Sequence, residues 1–133
     1  MDHPTASDLL NVPLLTDLSP EFRARLASEF EVEDYSDGQV IVREGASGYA
    51  FYVIRSGAVS VTQQGRELRT LGPGDFFGEI SISGEGRRTA SVTATSPVVA
   101  WVLFGTTFRE LEAAEPAVAA ALTAAIRERL ATG

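Results

Sequence analysis

The chain of 133 residues contains no cysteine, no lysine and a single histidine, His3, beside the N-terminus. Without cysteine there is no disulfide, thiol nucleophile or thiolate metal site. One terminal histidine excludes multi-histidine metal centres and histidine-based triads. Without lysine there is no Gly-x-x-x-x-Gly-Lys-Ser/Thr phosphate loop. Positive charge is scarce altogether: 11 arginines face 18 carboxylates, for a net charge of −7. That balance lacks the basic footprint of a nucleic-acid binder and argues against docking on anionic membranes. No apolar run approaches the roughly 20 residues of a membrane-spanning helix. The start, Met1-Asp2-His3-Pro4-Thr5, has neither the basic residues nor the apolar stretch of a signal peptide. A cytoplasmic home fits these absences, and no metal centre, membrane segment or nucleic-acid contact is expected; carboxylate catalysis is conceivable but has no supporting pattern.

What is present is the composition of a globular protein, 44% apolar and 22% charged, long enough for one domain. A single domain over 1–133 is expected, in three parts. Residues 1–31 read as an N-terminal helical segment. Ser19 caps a helix with Pro20 at its first position, and Phe22, Leu26 and Phe30 recur at spacing four. Over 32–104 the period becomes two, with strands expected at 32–35, 39–43, 50–55, 58–62, 67–71, 89–94 and 98–103. Turn signals separate them, among them Ser56-Gly57, Gln64-Gly65 and Gly72-Pro73-Gly74-Asp75. The fold class is therefore mainly β with flanking helices, an antiparallel roll or jelly-roll barrel. Over 105–133 helical spacing returns. Thr107-Phe108-Arg109-Glu110 has the form of a capping box. Pro116 then breaks the helix at Glu115, giving a hinge helix followed by a second helix. Val118, Leu122, Ala125, Ile126 and Arg129 share one face of that second helix.

Chemistry concentrates in 76–92. Glu79 and Arg88 flank a glycine-rich turn, and a strand is expected to end after Phe76-Phe77 where a short helical turn begins. N–H groups at a helix start attract an anion, Gly78 admits close approach, and Arg88 offers a fork of donors to phosphate oxygens. Glu79 repels a bare phosphate but suits a ligand whose hydroxyl lies beside the phosphate, as in a ribose phosphate. The plainer readings are an ion pair at a barrel corner for Glu79 and Arg88, a solvated charge for Arg87, and a strand-forming residue for Thr89. Val61 and Trp101 read first as core, and Arg129 as a side chain lying along an apolar stripe with its head in water.

The runs Phe77-Gly78-Glu79-Ile80 and Arg88-Thr89-Ala90-Ser91-Val92 resemble the phosphate-binding cassette of the cyclic nucleotide-binding domain family. The wording is most similar to the ion-channel and bacterial-channel branch, and Val12-Pro13-Leu14, Glu44-Gly45, Tyr52-Val53-Ile54 and Gly72-Pro73-Gly74-Asp75-Phe76 also fall at family positions. The resemblance implies a non-catalytic allosteric sensor. Glu79 would accept a hydrogen bond from the ribose 2′-hydroxyl, and Arg88 would pair with the cyclic phosphate. N–H groups around Gly78, Ile80, Ser81 and Thr89 would complete the cradle. Val61 and Arg69 match strand positions near the base, and Arg129 matches a lid-helix arginine. The ligand would be cAMP or cGMP, with cAMP favoured as the commoner bacterial ligand and Thr89 speaking for cGMP. No other cofactor is implied. Ser81 and Ser83 depart from the family's small-apolar or aliphatic pattern. The output would be a regulated partner, a second copy or a fused domain. The alternative is the sensor half of a transcription regulator of the same family.

Overall fold

The computed structural model describes residue 15 and residues 18–45, 50–79 and 90–132, with the side chains of Glu79 and of the chain beyond Ala125 outside the description. Its elements are α1 (Pro20–Ala27), β1 (Glu31–Tyr35), β2 (Val40–Val42), β3 (Ala50–Ser56), β4 (Val59–Gln63), β5 (Arg66–Leu71), β6 (Phe76–Glu79), β7 (Ser91–Ala94), β8 (Val98–Phe104), α2 (Gly105–Ala114) and α3 (Pro116–Thr132). The strands form two four-stranded antiparallel sheets, ordered β1-β8-β3-β6 and β2-β7-β4-β5. That is the strand order of a jelly roll, in agreement with the expected fold class.

The two sheets differ in what covers them. One apolar cluster fills the space between them, with Val42, Tyr52, Ile54, Val61, Phe77, Val92 and Val102 among its members. A second packs the helices on the far face of the first sheet and includes Leu26, Phe51, Val53, Trp101, Leu103, Phe108, Val118 and Leu122. Sheet one is thus covered on both faces. This explains why β3 is buried continuously from Ala50 to Ile54 instead of alternating. In β5, at the edge of the second sheet, every residue from Arg66 to Thr70 is exposed.

Local signals decide the helix ends, with three departures from expectation. The Ser19 hydroxyl accepts from the Phe22 N–H at 3.2 Å, and Pro20 opens α1 as anticipated. The helix stops at Ala27, because the Ser28 hydroxyl and the Glu29 N–H take the carbonyls of Arg25 and Leu26. Phe30 therefore lies past the helix, though still fully buried. The Thr107–Glu110 pattern does not start α2. Strand β8 runs straight into a helix beginning at Gly105, and Phe104 at the cap position makes no side-chain capping bond. A further strand, β6, carries Gly78 and Glu79, where a helical turn was expected. At Glu115 the break appears as anticipated, with φ −141° and ψ 73° between the two helices.

Replacing Ser19 by alanine should lower stability by about 1 kcal/mol. Urea unfolding would show this as an earlier midpoint at unchanged slope.

Candidate functional site

Strand β6 pairs with β3, so that Gly78 lies opposite Phe51 and Glu79 opposite Ala50. Phe77 turns into the space between the sheets and stacks on Tyr52, with centroids 4.6 Å apart and planes 7° from parallel. Phe76 faces the helices and meets Phe51 at 5.3 Å. Gly78 has φ +103°, and a Cβ there would sit 2.3 Å from the Ala50 carbonyl oxygen and 2.9 Å from the Tyr52 ring. The strand contact itself requires glycine at 78, whatever else approaches it.

Residues 80–89, which contain Ile80, Ser81, Arg88 and Thr89, lie outside the described residues, as do the Glu79 carboxylate and the Arg129 side chain. The ends of that connection are well placed. It leaves the edge of the first sheet at Glu79 and re-enters in the interior of the second, where Ser91 opens β7 between β2 and β4. Ser91 accepts the Glu44 N–H at 2.9 Å, and the Glu44 carboxylate accepts the Gln64 N–H at 2.8 Å. The exit of β2, the β4–β5 hairpin and the start of β7 are therefore braced together at one end of the sandwich. Gln64 and Gly65 both have positive φ, 52° and 79°, as a two-residue hairpin turn requires. Arg43, Arg66 and Arg69 are exposed in these same elements. Glu44 and Glu67 are exposed in them too, so this end carries charge of both signs.

One row of cross-strand partners runs across the second sheet next to the Ser91–Thr62 pair: Val42, Val92, Val61 and Arg69. Cross-strand partners share a face. The three valines belong to the cluster between the sheets, which assigns the row to the inner face. Arg69 is there because of a bulge. The register steps from Val61 opposite Arg69 to Thr62 opposite Glu67, leaving Leu68 without a partner and 53% exposed. In a regular strand Glu67 and Arg69 would share a face. The bulge separates them. Glu67 turns outward and accepts from the Ser60 hydroxyl at 2.7 Å, while Arg69 keeps the face of Val61. Of the proposed residues, Gly78 lies on β6 in the first sheet, and Val61 and Arg69 are cross-strand partners in the second. The bracing by Glu44 and Ser91 was not read from the sequence, since polar contacts across 47 positions leave no local pattern.

Tyr35 is half-buried, and its phenol is pushed well above the ordinary tyrosine value, chiefly by burial and then by Tyr52 and Glu33. It stays neutral and unsuited to acid–base work near neutrality. Among the described residues no three histidine, cysteine, aspartate or glutamate side chains gather where they can hold a metal ion. Among the same residues no helix is long and apolar enough to cross a membrane.

A family model described as "Cyclic nucleotide-binding domain" matches residues 32–115. The chain is 44% identical over 98 residues to a cGMP-dependent protein kinase, isozyme 1, of Drosophila melanogaster, a match covering 68% of this chain and 13% of the kinase. It is 34% identical over 103 residues to a cAMP-dependent protein kinase regulatory subunit of Hypocrea atroviridis, covering 77% of this chain and 22% of that subunit. Among solved structures, a cyclic nucleotide-binding domain from Methylobacillus flagellatus superposes with a TM-score of 0.84 at 22% identity, covering 96% of this chain and 76% of that one, a likeness of fold. The chain thus spans only a small part of these two kinase proteins. Both are kinase proteins, where the wording of the cassette had pointed to channels. A jelly roll whose β6–β7 connection carries the Glu79 and Arg88 spacing, matched by the family over most of the barrel, belongs to the cyclic nucleotide-binding domain family.

Proposed function

We propose that this chain is a non-catalytic cytoplasmic sensor that holds a cyclic nucleotide at the β6–β7 connection and passes the binding event to its C-terminal helices. The observation that carries the reading is the placement of that connection. The strand before it ends at Gly78-Glu79, and the strand after it opens at Ser91, which pairs with Thr62 next to the Val61–Arg69 pair. In this reading Arg88 pairs with the cyclic phosphate and Glu79 accepts the ribose 2′-hydroxyl. Backbone N–H groups around Gly78, Ile80, Ser81 and Thr89 complete the cradle. Val61 and Arg69 face the base, and Arg129 on α3 covers it. Pro116 and Glu115 form the hinge about which α3 closes, so that ligand shifts an open–closed equilibrium. The output is a regulated partner protein, a second copy or a fused domain. The alternative, the sensor half of a transcription regulator, is less favoured because the curated relatives named above are kinase proteins.

Arg69 moves the choice of base from cAMP toward cGMP. Guanine presents two acceptors, N7 and O6, along one edge, whereas adenine presents an acceptor and a donor there. A guanidinium, having donors only, matches the first and conflicts with the second. The 44% identity to a cGMP-dependent kinase and the hydroxyl of Thr89 support the same choice.

Calorimetric titration with both nucleotides tests the reading. Expected is cGMP bound about tenfold more tightly than cAMP, with Arg69→Ala removing most of that preference. No heat with either nucleotide at high micromolar concentration would sink the sensor reading. Tighter binding of cAMP, with a ratio indifferent to Arg69→Ala, would overturn the assignment of the base alone.

A further inference from the structure

We propose that Arg25 and Glu115 form a salt-sensitive latch that holds the α2–α3 joint against α1 and opposes closure of α3 over a bound nucleotide. The proposal rests on the sensor reading above and adds a regulatory contact to it. Arg25 lies in the last turn of α1, and its guanidinium is aimed by its own helix. Nη1 donates to the Glu29 carboxylate at 2.5 Å and to the Ser28 hydroxyl at 3.1 Å. Nε is thereby directed at the Glu115 carboxylate, 90 positions along the chain. Hydrogen bonds to Glu29 and then Glu115 raise the Arg25 pKa, so the latch does not open by deprotonation.

Glu115 is the residue whose backbone changes direction between the helices. Its N–H donates to the Leu111 carbonyl at 2.7 Å, closing α2. Its own carbonyl accepts from Val118 and Ala119 at 3.1 and 3.3 Å, opening α3. The Glu115 side chain therefore sits at the pivot itself, and its bond to Arg25 ties that pivot to α1. Beneath the pair, Leu26 and Ala27 of α1 share the helix-side apolar cluster with Val118, Ala119 and Leu122 of α3. The described part of α3 therefore docks on α1 and α2, on the face of the first sheet opposite Val61 and Arg69. Closure over a base has to draw the helix away from this docked position, and the ion pair adds to the cost. The side chains of Arg25 and Glu115 are 33% and 42% exposed. A pair so open to water contributes modestly and is screened by salt, which suits a contact that is broken and remade.

The test compares the parent with Arg25→Gln, Glu115→Gln and the double variant. Without any nucleotide, both single variants should exchange the Val118 and Ala119 amides severalfold faster, and the double variant no faster than either single. Unchanged exchange would overturn the latch, whether or not the chain binds nucleotide. In cGMP titrations both single variants should bind about twofold to fivefold more tightly, with the double variant equal to them. Raising salt to about 0.5 M should erase the difference from the parent. Affinity unchanged or weakened in the single variants would overturn the opposition to closure. A parent that binds no nucleotide would instead refute the sensor reading, and the amide exchange would still decide the latch.

Discussion

Arg88→Ala should weaken cyclic nucleotide binding by roughly 30-fold or more while leaving the thermal unfolding midpoint near that of the parent. Truncating one partner of a desolvated, hydrogen-bonded charge pair costs about 2–5 kcal/mol, because the other charge is left without its counterpart. In the proposed site the counterpart is the ligand phosphate, so the loss should fall on affinity and not on the fold. Arg88→Lys should recover only part of it, since an ammonium keeps the charge but not the two parallel donors of the guanidinium. The competing account of the Glu79 and Arg88 spacing is an ion pair at a barrel corner. That account reverses the pattern: stability would fall and affinity would hold. Calorimetry and thermal unfolding on the same two variants separate the accounts, and affinity within threefold of the parent would rule out the phosphate role.

Gly78→Ala should have the largest effect on stability, a loss of about 3 kcal/mol that lowers the melting temperature by roughly 10 °C. A side chain at φ +103° is strained in itself. The new Cβ would also fall 2.3 Å from the Ala50 carbonyl oxygen and 2.9 Å from the Tyr52 ring. Neither neighbour yields cheaply. Ala50 is held between Glu79 on β6 and Phe104 on β8, and Tyr52 is stacked on Phe77. Relief requires β6 to pull away from β3, at the point where the proposed cradle begins. Nucleotide affinity should therefore fall as well, even under conditions where the variant is folded. Such a loss is not evidence that the ligand touches Gly78, since the strand contact demands glycine on its own account. A variant as stable as the parent would refute this role.

Signals complete within a few positions were legible in advance. Ser19 and Pro20 announced α1, Gln64-Gly65 announced a hairpin turn, and Pro116 announced the break at Glu115. In each case the donor, acceptor or fixed dihedral lies within about four residues of the group it acts on. The fold class followed from the rhythm of short apolar runs and turns. The spacing of Glu79 and Arg88 is also visible in the sequence, and the ligand role given to it is the proposal made above. What misled were local patterns that distant partners overrode. Thr107 to Glu110 spells a capping box, yet β8 feeds α2 three residues earlier, with Phe104 at the cap position. Phe76-Phe77 reads as a strand end, yet pairing with β3 extends the strand through Glu79.

The amino-acid sequence by itself determined that this is an antiparallel β-roll with flanking helices, and that the chain has no cysteine and no lysine. Only the tertiary structure decided which faces are buried, where Arg69 lies and what Arg25 holds. Burial on both sides of β3 comes from helices at the two ends of the chain closing over one sheet. Arg69 owes its face to a one-residue bulge at Leu68, and a bulge is a property of two paired strands. The Arg25–Glu115 contact joins residues 90 positions apart. Capping and turn energies are local and leave marks in the sequence, whereas register and long-range pairing exist only once non-local surfaces have met.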